Sequence, residues 1–123
     1  MDTHRCLLCM GSNSDGDLHL RHAREALTDA FPGIHFGMLM ITDAVGSTYR
    51  SPFYNQLAVF STDLPPEYIH RRCKKIEREE GRNREDKRTG IVKLDIDLLK
   101  YDRRILKKED MKRDYILEGI KGM

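Results

Sequence analysis

The sequence has no apolar run close to the roughly 20 residues that a membrane-spanning helix requires, and Met1-Asp2-Thr3-His4-Arg5 opens no signal-peptide core. The expectation is a cytoplasmic protein that engages no membrane. Cysteine is scarce: Cys6, Cys9 and Cys73 are an odd number, which in a reducing compartment means free thiols. Cys6-Leu7-Leu8-Cys9 has a redox spacing but lies in an apolar strand-like run, without the helix N-terminus that lowers a thiol pKa. His4, Cys6 and Cys9 lack a fourth zinc ligand. There is no internal repeat, no low-complexity linker and no Gly-x-x-x-x-Gly-Lys phosphate loop. Net charge is small, +2 overall, so the total selects no partner. Its distribution says more: 4 Lys/Arg stand against 7 Asp/Glu through Asp63, then 18 against 13. The basic half suits a nucleotide triphosphate or a nucleic acid.

A chain of 123 residues, 39% hydrophobic and 34% charged, supports one core beneath a highly charged surface. Residues 1–123 are therefore expected to form a single domain. Cys6 to Met10 reads as a buried central strand ending at Gly11. Turn formers follow, and Asp15 or Asp17 caps a helix whose Leu20, Ala23, Leu27 and Phe31 recur at helical spacing until Pro32-Gly33. Ile34 to Ile41 alternates as a second strand. Thr42 to Pro52, with Gly46, Ser47 and Thr48, is a polar loop of the kind that often carries function. Phe53 to Ser61 is a third strand with Phe53, Asn55, Leu57 and Val59 on one face. There an aromatic and an amide could stack on and hydrogen-bond a flat heterocycle, core packing being the competing role for Phe53.

Asp63 caps the second helix, with Pro65 and Pro66 in its first turn, a buried stripe of Ile69, Cys73 and Ile76, and a stop at Gly81. Arg82 to Gly90 reads as a charged loop too polar to pack. It leads into Lys93-Leu94-Asp95-Ile96-Asp97-Leu98-Leu99. On a strand, Asp95 and Asp97 point one way while Leu94, Ile96 and Leu98 point the other. Two carboxylates about 7 Å apart repel unless a cation lies between them. Magnesium suits them, since it is held by one or two carboxylates plus substrate phosphates; exposure to water on an edge strand is the alternative. Tyr101-Asp102 is a turn, Ile105-Leu106 a short strand or turn, and Tyr115 to Ile120 a terminal helix. The order implies an α+β, ferredoxin-like βαββαβ fold, an antiparallel four-stranded sheet with helices on one face. The uncovered face would carry Phe53, Asn55, Asp95 and Asp97.

Gly11-Ser12-Asn13, Phe53-Tyr54-Asn55-Gln56-Leu57-Ala58, Ile76-Glu77-Arg78, Gly81-Arg82 and, above all, Asp95-Ile96-Asp97-Leu98-Leu99 together make the chain resemble the 6-hydroxymethyl-7,8-dihydropterin pyrophosphokinases of folate synthesis. Arg88, Gly90, Asp95 and Asp97 fit that family's signature. The resemblance covers most of the chain. It implies pyrophosphate transfer from ATP to the pterin, with two magnesium ions on Asp95 and Asp97 and ATP as co-substrate. It also implies that Asn55 and Gly11 meet the pterin while Phe53 stacks on it, that Arg82, catalytic with the two aspartates, and Arg113 contact phosphates, and that Glu77, Arg84 and Arg88 serve the nucleotide. Where the family has arginine, tryptophan and histidine, this chain has Val92, Thr89 and, near the histidine position, Lys107. The alternatives are a catalytically weak homologue that binds nucleotide or pterin, and an RNA-binding sheet, which two acids beside the single aromatic Phe53 disfavour.

Overall fold

The elements of the computed structural model, which describes residues 2–43 and 51–123, run β1 (His4–Ser12), α1 (Gly16–Ala30), β2 (His35–Phe36), β3 (Met40–Thr42), β4 (Phe53–Thr62), α2 (Pro66–Glu79), α3 (Arg84–Thr89), β5 (Asp95–Tyr101), β6 (Arg104–Ile105), α4 (Lys108–Met111) and α5 (Asp114–Lys121). Alternation along β1 decides how they assemble. Cys6, Leu8 and Met10 enter one core, while Leu7 and Cys9 face a second, smaller one. β1 is central, antiparallel to β4 on one side and β5 on the other. The strand order is β2-β4-β1-β5-β6, with β3 also on β4, which is the ferredoxin-like arrangement. Six strands form where four were expected, for two reasons. The alternating Ile34–Ile41 segment breaks after Phe36, because Gly37 N–H bonds Leu57 O and Gly37 O accepts from Gln56 Nε2. It therefore pairs with β4 as two pieces. The Asp102 turn then adds β6 beyond β5.

α1 and α2 pack their apolar stripes, Leu20, Ala23 and Leu27 on one and Ile69, Cys73 and Ile76 on the other, over one face. The expectation that every helix would share this face needs correcting. α5 lies on the opposite side, where Ile116 packs with Leu7, Leu57 and Leu99. Leu99 reaches that cluster by the same alternation that sets Asp95 and Asp97 on this face, and the β1–β5 register shift at Leu7/Leu8, which leaves one extra residue on β5, then turns Tyr101 into the larger core. α5 approaches closely through Gly119, where an added Cβ would come within 2.6 Å of Leu57 Cδ1 and 2.9 Å of Met40 Cε. Gly119→Ala should therefore lower the melting temperature, by the equivalent of about 1–3 kcal/mol, even though alanine is the better helix former. A melting curve matching the wild type would mean that α5 can shift freely.

Three further local readings are corrected. Asp63 does not cap α2: Pro65 is the N-cap and no side chain bonds there, because two prolines hold the chain extended and supply no N–H to cap. Asp15 is the N-cap of α1 but sits left-handed at φ 47 without a side-chain cap bond. Its backbone oxygen accepts from His19 N–H instead. The charged segment after Gly81 is not a loop throughout. Asn83 and Asp86 exchange capping-box hydrogen bonds and Gly90 closes the turn left-handed, winding the residues between into α3. Gly46, Ser47 and Thr48 of the polar loop lie outside the described residues. Among the described residues no helix is long and apolar enough to cross a membrane.

Candidate active site

The half of the second sheet face that α5 leaves open is a cleft of about 630 Å³. Its floor follows from strand register. Gly11 on β1 pairs with Asn55 on one side and Asp95 on the other, and Cys9 in the next row lies between Leu57 and Asp97. With strands spaced at roughly 4.8 Å, an amide and a carboxylate face each other across about 10 Å, with a glycine between them. The glycine matters: a Cβ at Gly11 would lie 3.3 Å from Asn55 Oδ1. Asn55 is buried, and its Nδ2 donates to Thr42 Oγ1 at 2.9 Å and to Phe53 O at 3.3 Å, so its orientation is set before any ligand arrives. Phe53, Asn55, Asp95 and Asp97 all line the cleft, as does Arg113.

Asp95 and Asp97 share a face, as period-2 alternation requires, while Leu94, Ile96 and Leu98 are buried on the other. Burial works against ionisation at both. At Asp95 it is outweighed by hydrogen bonds with Asp97 and Arg82 and by the charge of Lys74, which hold its carboxyl below the usual range. At Asp97 burial, with the Asp95 carboxylate beside it, outweighs the charges of Lys74 and Lys107 and pushes it up to about 7. The two titrate as a unit, Asp95 giving up its proton more readily than Asp97. Lys107 also bears on Asp97, lowering its pKa.

β6 pairs only with Lys100 and Tyr101, so among the described residues the outer edge of β5 beside the carboxylates has no neighbouring strand. α2 and Arg82 close it. Glu77 Oε2 accepts from Ile96 N–H at 2.8 Å and from Lys74 Nζ at 2.8 Å. Arg82 Nη1 reaches Glu77 Oε1 and Asp95 Oδ1, each at 2.8 Å, and Leu94 O at 3.3 Å. Glu77 is therefore 3% exposed and lies outside the cleft lining. The resemblance put it on the nucleotide; here its carboxylate is consumed in closing a sheet edge. Arg84 and Arg88 are also outside the lining, since winding into α3 turns them to solvent, where Arg88 is 3.7 Å from Glu85 and 80% exposed.

Sequence reasoning missed Tyr115, Lys112, Asp110 and Asp114, which border the cleft around Arg113. An aromatic two residues beyond an arginine was the signal available for Tyr115. Arg113 Nε is 3.5 Å from Asp110. Val92 lines the cleft, its backbone held to Asn13 by Val92 N–H to Oδ1 at 2.6 Å and Asn13 N–H to Val92 O at 2.9 Å.

The Cys6-x-x-Cys9 spacing does not bring its two thiols together. Cys6 and Cys9 face opposite sides of β1, and all three thiols are free. Burial, and secondarily nearby carboxylates, pushes Cys6 up to about 11 and Cys73 up to about 12, and raises Cys9 further. A thiol-specific reagent at pH 8 should leave the native protein almost unlabelled and titrate all three groups after denaturation. Rapid native labelling of any one would contradict this packing.

The family description 7,8-dihydro-6-hydroxymethylpterin-pyrophosphokinase (HPPK) matches residues 7–122. Comparison with curated proteins returns no match. The matched span runs from the central strand to the last helix and takes in every residue that borders the cleft. With a ferredoxin-like antiparallel sheet and two carboxylates on its open face, the chain belongs to the HPPK family.

Proposed function

We propose that residues 1–123 act as a single-domain, magnesium-dependent kinase that transfers pyrophosphate from ATP to 6-hydroxymethyl-7,8-dihydropterin. The observation that carries the reading is the pairing, in one cleft of a chain of this family, of Asp95 and Asp97 with the aromatic and amide of Phe53 and Asn55. The carboxylates suit magnesium on chemical grounds. Among the described residues no group of three His, Cys, Asp or Glu side chains is placed to hold a metal, and magnesium is the cation that accepts only one or two carboxylates and completes its shell with water and phosphate. When bound, the ions neutralise the polyphosphate and align it.

The protein groups orient and bind. Phe53 and Tyr115 border the cleft as the aromatics on which a flat bicycle would stack, and Asn55 offers an amide held by Thr42. Arg82 and Arg113 present guanidinium groups to phosphate oxygens, with Lys107 and Lys112 adding charge nearby. In the reaction the pterin hydroxymethyl oxygen forms a bond to the β-phosphorus of ATP, the bond from that phosphorus to the α,β-bridging oxygen breaks, and AMP leaves. Positioning and charge neutralisation dominate such transfers.

The replacement of a family arginine by Val92 favours a second reading, a member that binds its ligands and turns over poorly, since one lost charge-assisted phosphate contact costs on the order of 10²-fold in rate. Calorimetry with a non-hydrolysable ATP analogue and magnesium, with and without hydroxymethylpterin, followed by an AMP-release assay, separates the two. Ternary binding with AMP release supports the kinase. Ternary binding without release leaves the binding protein, and no binding removes both.

A further inference from the structure

The geometry points to Lys74 as a positioning residue that, with Arg82, stands in for a divalent cation at Asp95 and biases the site toward a metal arriving with polyphosphate over a metal arriving alone. This rests on the proposed function. Lys74 and Glu77 are i and i+3 on α2, and the Lys74 ammonium donates to Glu77 Oε2 at 2.8 Å while lying 4.0 Å from Asp95 Oδ1. Arg82 Nη1 is 2.8 Å from the same Asp95 oxygen and 2.8 Å from the other Glu77 oxygen. Two anions and two cations thus form one cluster wrapped around the edge of β5, and its net charge is zero. All but Glu77 are about one-third exposed, so nucleotide and metal can reach them while Glu77 fixes them from behind.

The sign of the Lys74 contribution depends on what approaches. A bare divalent cation meets a carboxylate already neutralised, with an ammonium beside it that repels the newcomer. A metal–nucleotide complex brings more negative than positive charge, and the same ammonium attracts it. Lys74 therefore raises the selectivity for metal–nucleotide over metal even if it touches neither. A purely structural lysine, one that only holds Glu77, would move both affinities in the same direction or not at all.

The test uses Mn²⁺ as the probe, titrated by calorimetry alone and together with a non-hydrolysable ATP analogue. Lys74→Gln should tighten Mn²⁺ alone roughly two- to fivefold and weaken the Mn²⁺–nucleotide complex by a similar factor, the range expected for a partly exposed charge at this distance. Lys74→Arg should restore both. Folding is protected, because Glu77 keeps Arg82 and the Ile96 N–H. Lys74→Met, which keeps the apolar stem without the charge, repeats the measurement should the glutamine variant melt early. Unchanged affinities, shifts of one sign, or an arginine variant that behaves like glutamine would overturn the inference. If the wild type binds the metal–nucleotide and Lys74→Gln is silent, only this inference fails; if the wild type does not bind it, the proposed function fails as well.

Discussion

Asp95→Ala and Asp97→Ala should each weaken magnesium-dependent nucleotide binding by about 10²-fold or more, because each removes half of the only paired carboxylates bordering the cleft among the described residues. Their effects on stability should differ. Asp97 is pushed up to about 7 by burial and by Asp95, so holding it in the fold costs stability at neutral pH, and its removal should leave the melting temperature unchanged or slightly raised. Asp95 is an ion-pair partner of Arg82, yet it is 38% exposed and Arg82 retains Glu77 and Leu94 O. Solvent screening reduces that pair to under about 1 kcal/mol. Calorimetric titration with magnesium and a non-hydrolysable ATP analogue reads the first effect, and thermal denaturation reads the second. Retained binding in either variant would remove the carboxylates from the metal role, and cooperative unfolding at room temperature would make them structural.

The parts of this site that were legible in the sequence are those that depend on one strand at a time. Alternation alone puts Asp95 with Asp97 and Phe53 with Asn55, and the register of β1 then brings the two pairs to one face. Helical spacing likewise finds the stripes of α1 and α2. What the sequence conceals depends on neighbours. The terminal helix is plainly amphipathic, but nothing local says that Gly119 will seat it on the side of the sheet opposite α1 and α2. The break between β2 and β3 depends on Gln56 reaching across to Gly37. α3 is different: Asn83 and Asp86 carry a local capping signal, hidden by the assumption that so many charges in a row cannot be helical. Arg84 and Arg88 were accordingly drawn toward the nucleotide when the helix turns them away.

Glu77 shows most clearly how a sheet-level fact reassigns a residue. In sequence it is one acid among Lys74, Lys75, Arg78 and Arg82, fit for a surface or a ligand. In the fold it is the acceptor for an edge-strand N–H and for two cations at once. Glu77→Ala should therefore cost about 3 kcal/mol, since it leaves the Ile96 N–H without its acceptor and takes from Lys74 and Arg82 the more buried of their two carboxylates, leaving only Asp95. In a domain of this size that is a fall in melting temperature of roughly 10 °C. Glu77→Gln should fall in between, because one amide oxygen can still accept from Ile96 or Arg82 while the amide nitrogen must face a cation. Nucleotide affinity should drop too, but only as far as Arg82 and Asp95 lose their positions. The decisive comparison pairs melting with binding across Ala, Gln and Asp variants at 77. If Glu77 closes the sheet edge, affinity loss follows stability loss. A variant that melts like the wild type yet binds nucleotide tenfold more weakly would return Glu77 to the ligand.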